Sequence, residues 1–224
     1  MTTSDWTILV AVLAGVALGP VLSLAVEQAT PHRPDGDAAP IKRSGCRGSR
    51  AWRAVGLSIV LAGLEGWAAQ RFGRTWSLPP IAVFLAGLIT LAWCDGEYYR
   101  LPTRILRPTT VVSGALLLVA AGVTSEWSRL GVAAACGAVA FAVFFVMNLV
   151  NPKGIAFGDV RLAGMIGLVV GWHGVTRALD AFVIASIAGA LVAIVLLATR
   201  RVRLDSPLPY GVFLATGAVL ALLW

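Results

Sequence analysis

The chain predicts an all-α, polytopic integral membrane protein, on three observations. Of its 224 residues, 58% are hydrophobic and only 13% are charged, the profile of a chain whose segments lie in lipid. The apolar residues gather into eight stretches, roughly 7–26, 54–70, 79–94, 108–123, 130–150, 160–175, 178–199 and 207–224. These approach the ~20 residues a helix needs to cross a bilayer, with ~17 as the lower limit. Alanine, glycine and leucine dominate them, as expected where helices pack closely in lipid. We read one membrane domain over 1–224, with about eight transmembrane helices and a polar loop at 27–53.

The first stretch is not a cleaved signal peptide. MTTSDW carries an acid and no base, and the apolar run behind it is long enough to span. The loop that follows, EQATPHRPDGDAAPIKRSGCRGSRAWR, has too little to bury for a fixed fold. It holds one cysteine, Cys46, and one histidine, His32, whereas a structural zinc site takes four ligands. The other cysteines, Cys94 and Cys136, are scattered and give no disulfide framework. No metal or cofactor is expected.

The second helix carries Glu65 well inside its apolar run. An ionisable group at that depth is a functional candidate by default. The plainer reading is a carboxyl bonded to a neighbouring helix or lying near the outer surface. The third helix leads into WCDGEYYRLPTRILRP, residues 93–108. Pro102 forbids a simple helix through this loop and pushes Leu101 towards extended backbone. Pro108 is well placed to begin the fourth helix. Asp95 lies at the membrane boundary with Glu97 two residues on, and spacing alone does not choose between them.

The sixth helix opens from KGIAFGDVRLAGMIGLVVGW, residues 153–172. Gly154 and Gly158 can adopt conformations other residues avoid, which suits a loop ending abruptly at a helix start. Asp159 then falls at or near the N-cap, at the positive end of the helix dipole. A capping role alone would explain it. Early in the seventh helix, Asp180 reads as a cap or as the ion-pair partner of Arg177.

Charge sets the orientation. With the N-terminus outside, 14 of the 18 basic residues fall in the cytoplasmic loops, and only Arg71, Arg74, Arg129 and Arg177 lie outside. The net charge of +7 is thus a topology signal. No basic helix interleaved with aromatics supports nucleic-acid binding, and anionic inner-leaflet lipid is the expected partner of the basic loops. The expected location is the inner (plasma) membrane, multi-pass, with Asp95 and Asp159 both at the cytoplasmic face.

At this point the residues resemble a known family. AWCDGEYYRLPTRI is similar to the first catalytic motif of type IV prepilin peptidases, an aspartate followed six and seven residues later by an aliphatic residue and proline. Asp95, Leu101 and Pro102 match it, which favours Asp95 over Glu97. GIAFGDVRLAGMIGLVVGW resembles the second motif through Gly154, Gly158, Asp159, Val160, Leu162, Gly171 and Trp172. PLPYGVFLATGAVLALL and LAGVALGPVLSLAVEQATP look like the family's closing and opening helices. Three positions depart from the pattern: Ala156 replaces the middle glycine, Arg161 the usual lysine, and Thr103 stands where Asn or Asp is common. Loop 27–53 also lacks the paired cysteines that fuller members carry with N-methylation, which puts methyl transfer in doubt.

The resemblance implies an aspartyl endopeptidase that trims prepilins or pseudopilins at the cytoplasmic face. Asp95 and Asp159 would be the catalytic pair, with Gly154, Gly158, Leu101 and Pro102 shaping the loops or meeting the substrate. Hydrolysis by carboxylates needs one group to activate water and a protonated one to polarise the scissile carbonyl. Such a pair shares a proton and titrates as a unit. Two other readings stand beside this one. An intramembrane protease of the signal peptide peptidase and presenilin type shares a Gly-x-Gly-Asp motif, and a small proton-coupled transporter would also use intramembrane acids such as Glu65 and Asp180.

Overall fold

The computed structural model describes residues 3–29, 50–73, 75–99, 101–152, 154–199 and 209–223. Residues 30–49, with His32 and Cys46, fall outside the described residues, as do Arg100, Lys153, Arg200, Arg201 and Arg203. The order is α1 (Thr3–Ala29), α2 (Arg50–Phe72), α3 (Leu78–Tyr98), α4 (Thr103–Thr124), α5 (Trp127–Val150), α6 (Phe157–Gly171), α7 (Val175–Ala198) and α8 (Tyr210–Leu223). No strand occurs among the described residues. The all-α polytopic class holds. Five helices (α1, α3, α4, α5 and α7) are long and apolar enough to cross a membrane. Helix α2 carries Arg53, Glu65 and Arg71 within its length, while α6 and α8 have only 15 and 14 residues.

The fourth helix begins five residues earlier than expected. The carbonyl of Pro102 accepts the N–H groups of Ile105 (3.0 Å) and Leu106 (3.1 Å), closing the first turn there. Pro108 therefore lies inside α4, where it forfeits one backbone bond without ending the helix.

The chain forms two compact units, Met1–Tyr98 with Pro102–Thr124, and Tyr99–Leu101 with Ser125–Trp224. In the first, α1 and α2 pack backbone to backbone. A Cβ on Gly15 would meet the Ala62 nitrogen at 2.7 Å, and one on Gly19 the Ser58 nitrogen at 2.6 Å. Pro20, inside α1, has no N–H to give the Val16 carbonyl. The Ser58 hydroxyl from α2 donates to that carbonyl at 3.1 Å instead. This cross-helix bond satisfies a backbone acceptor that water cannot reach in lipid. Helix α3 is central here: it packs against α1, α2 and α4, and 11 of its 21 residues are buried.

In the second unit α6 holds the central place, against α5, α7 and α8. Ten of its 15 residues are buried. Its glycines admit α5 closely, and a Cβ on Gly167 would meet the Cys136 carbonyl oxygen at 2.6 Å. Gly217 of α8 does the same for α7 at the Ala181 carbonyl. Each unit thus has one buried central helix, and each of those helices carries one of the two candidate aspartates.

Candidate active site

Asp95 lies in the last turn of α3, not beyond it, because the helix runs on to Tyr98. It is 5% exposed. The helix ends at Tyr99, whose φ of 53° is left-handed, a conformation that a bulky residue adopts at a cost of ~1 kcal/mol or more. The last turn holds Asp95 and Glu97 but no basic residue of its own, and the C-terminal end of a helix disfavours negative charge. The cation comes from α2. Nη1 of Arg53 donates to the Tyr98 hydroxyl at 3.2 Å and lies 3.9 Å from Glu97 Oε2. Glu97 is thereby engaged in an ion pair with α2.

Asp159 is the third residue of α6, 6% exposed. The N-cap is Ala156, in extended backbone at φ −74° and ψ 151°. The expected position at or near the N-cap therefore holds, with Asp159 three residues after the cap itself. Alanine has no side chain that can cap, and Asp159 compensates: its Oδ2 accepts the Ala156 N–H at 3.2 Å, the acidic half of a capping box. The carboxylate is thus fixed by its own helix, at the end that favours negative charge.

The glycines have another role than the one expected. Neither Gly154 nor Gly158 has positive φ; among the described glycines only Gly73 and Gly174 do. What both positions lack is room. A Cβ on Gly158 would come to 3.0 Å from the Leu101 Cβ and 3.3 Å from its Cδ1, and one on Gly154 to 2.6 Å from Asn151 Nδ2. Leu101 of the first motif therefore packs against the α6 turn that carries Asp159. Two asparagines that sequence reading passed over hold the connecting loop. Asn148 Nδ2 donates to the Ile155 carbonyl at 2.6 Å, and Asn151 Oδ1 accepts the Gly154 N–H at 3.1 Å. Their spacing just before Pro152 was the available signal, since Asx side chains characteristically bond backbone a few residues on. Arg161, at the position usually lysine, lies over the Phe157 ring at 4.5 Å.

The contact between Leu101 and Gly158 makes a prediction. On the catalytic role that the resemblance implies for Asp159, Gly158→Ala lowers turnover about tenfold, because misplacing such a turn by a fraction of an ångström is costly. Leu101→Ala removes the Cδ1 that the new methyl meets at 3.3 Å and leaves the Cβ at 3.0 Å, so it relieves the contact in part. The double variant then loses less than the two single losses multiplied, in initial rates of leader cleavage. Simple multiplication would show that the two residues do not share this contact.

Among the remaining candidates, Glu65 lies on the buried stripe of α2 with Leu61 and Ala68, 4% exposed, and its Oε1 has no hydrogen-bond partner. That oxygen is not bonded to a neighbouring helix. Asp180 is exposed and makes no ion pair with Arg177 among the described residues. The cap of α7 is Gly174. No group of three or more His, Cys, Asp or Glu able to hold a metal occurs among the described residues.

The model of the type IV leader peptidase family matches residues 82–194, which include both aspartates. The chain belongs to this family. It is similar to the prepilin leader peptidase/N-methyltransferase of Pseudomonas aeruginosa, 26% identical over 197 residues, covering 82% of this chain and 62% of that protein. The Bacillus subtilis protein of the same name is 31% identical over 166 residues, covering 74% and 64%. That of Stutzerimonas stutzeri is 26% identical over 185 residues, covering 82% and 62%. The chain thus spans less than two thirds of the length of these curated relatives. No solved structure matches it. Family membership favours the peptidase reading over a transporter built on Glu65 and Asp180.

Proposed function

We propose that the protein is a membrane aspartyl endopeptidase that removes the leader of prepilins or pseudopilins, with Asp95 and Asp159 as its catalytic pair. The observation that carries this is the family match across both aspartate motifs, with each aspartate buried at one end of a central helix. The two ends differ in kind. Asp159 meets the positive end of α6 and Asp95 the negative end of α3. Two identical side chains thereby have opposed surroundings, which is what a division into base and acid requires. Asp159 takes the water-activating role and Asp95 the proton-bearing one. In that division Asp159 accepts a proton from water as the oxygen attacks the scissile carbonyl, Asp95 donates a hydrogen bond to the carbonyl oxygen, and the C–N bond then breaks as Asp159 passes its proton to the leaving nitrogen. Gly154, Gly158, Leu101 and Pro102 shape the loops against which an extended substrate lies.

The deciding experiment incubates the purified protein with a prepilin and determines the product's new N-terminus by mass spectrometry. A cut between the leader and the apolar helix is expected, with a free α-amine at the product's end. A cut inside the apolar segment would support the signal-peptide-peptidase-like alternative. A methylated amine would overturn the expectation that residues 27–53, lacking paired cysteines, leave the protein a peptidase alone.

The N-terminus lies outside in this reading, and both motif loops face the cytoplasm at the inner membrane, beside anionic lipid. Single cysteines at Thr103 and Lys153, in a cysteine-free background, then resist an impermeant thiol reagent in intact cells. Labelling at either position reverses the orientation.

A further inference from the structure

At the end of α6 opposite Asp159, the second unit holds a cavity of about 330 Å³. Its walls include Ser128 and Arg129 from the first turn of α5, Trp172 and His173 from the α6–α7 connection, and Arg177 from the first turn of α7. Two guanidinium groups and an imidazole line it, and no carboxylate does. Arg129 is partly neutralised from outside by Glu126, at 2.9 Å. Arg177 has no acidic partner among the described residues.

Both arginines lie where positive charge is disfavoured, and among the described residues only Arg129 has an acid beside it, Glu126. Each is the third residue of its helix, close to the positive end of the dipole. Neither helix has an acid in its first turn, and neither has a side-chain cap bond. Glu126, the N-cap residue of α5, offsets part of this charge, and Arg177 with the α7 start leaves the cavity net positive.

We propose that this cavity binds a phosphate group. The planar fork of arginine matches phosphate oxygens in pairs, and the positive end of a helix attracts anions. The surroundings identify the principal source as a phospholipid headgroup. Trp127, one residue before the lining Ser128, is 58% exposed, and Leu179 and Val183, which follow Arg177 along α7, are 59% and 54% exposed. Exposed tryptophan above exposed aliphatics is the pattern of a helix end at headgroup level. Free phosphate shares the recognition chemistry and is the second source to be tested. The proposal is independent of peptide cleavage.

The full-length protein, purified in nonionic detergent without phosphate, is titrated with dioctanoyl phosphatidylglycerol and separately with inorganic phosphate. Intrinsic tryptophan fluorescence reports binding through Trp172 and Trp127. Saturable binding of the lipid is expected, at least tenfold weaker in Arg177→Gln and less affected in Arg177→Lys. Glu126→Gln, which releases Arg129 to the cavity, tightens it. Saturation by inorganic phosphate as well places recognition in the phosphate group itself, while saturation by lipid alone adds the glycerol and acyl contacts. Both results support the site. Absence of saturation with either probe overturns the proposal, as does equal affinity in wild type, Arg177→Gln and Arg129→Gln. The unfolding midpoint without ligand establishes that each variant is folded, and either arginine variant suffices for the comparison.

Discussion

Asp95→Asn and Asp159→Asn each abolish leader cleavage, by ~10³-fold or more, because members of a catalytic unit fail together and not by halves. Both proteins remain inserted and folded. At Asp159 the distinction from a structural role is sharp. Its Oδ2 accepts the Ala156 N–H at 3.2 Å, and an asparagine oxygen can accept the same bond, so the α6 start loses well under ~1 kcal/mol. A residue that only capped α6 would tolerate the change with activity intact. Asp95→Asn likewise keeps the size of the side chain at the end of α3 while removing its ionisable proton. Glu65→Gln is the internal control: it alters a buried acid of α2 that lies outside both motifs, and it retains cleavage. The readout is conversion of precursor to mature pilin on a gel at matched enzyme levels. Full processing by Asp159→Asn would sink the peptidase assignment, and loss confined to Glu65→Gln would revive the transporter.

Much of this architecture was legible because lipid imposes a simple rule. A backbone that cannot bond to water must satisfy itself, so each apolar run becomes a helix. All eight expected runs lie on observed helices, with ends shifted by a few residues. The errors came where local backbone chemistry decides. Pro108 suggested a helix start, but Pro102 supplies the carbonyl that closes the first turn of α4 five residues earlier. Asp159 was expected at or near the cap and lies there, but that it bonds back to an extended Ala156 from the third helical position is a detail only the backbone settles. Gly158 was expected to bend the chain, yet its constraint is the Leu101 side chain at 3.0 Å. No local pattern reveals a contact made by a residue 57 positions away. Nor does any propensity suggest that Tyr99 adopts left-handed backbone or that Arg53 of α2 reaches Tyr98 of α3. The catalytic candidates themselves stood out through their motifs, because chemistry restricts residue type more tightly than packing does.

Packing makes its own strong prediction, in the pair of helices that carries Asp159. Gly167→Ala in α6 and Gly131→Ala in α5 are the same chemical change on facing helices, and they have opposite signs. A Cβ on Gly131 meets nothing within 4 Å, so alanine there only gains helix propensity, about 0.5–1 kcal/mol. A Cβ on Gly167 meets the Cys136 carbonyl oxygen at 2.6 Å and the Ala140 Cβ at 3.0 Å. Overfilling a tight contact costs about 1–3 kcal/mol, and the upper part of that range applies where the obstacle is backbone, which cannot rotate away. Gly167→Val, with two more methyl groups, loses the folded protein. The helices must separate, and because Asp159 starts α6 two turns away, the surviving fraction of Gly167→Ala also cleaves more slowly. Thermal unfolding in detergent, read beside the cleavage rate, orders the variants as Gly131→Ala at or above wild type, then Gly167→Ala, then Gly167→Val. Rescue separates this contact from the one at Gly158. There the obstacle is a side chain, and Leu101→Ala relieves it in part. Here Cys136→Ala leaves the carbonyl in place, so it restores neither stability nor rate to Gly167→Ala. Recovery in that double variant would mean that the thiol, and not the α5 backbone, fills the space beside Gly167.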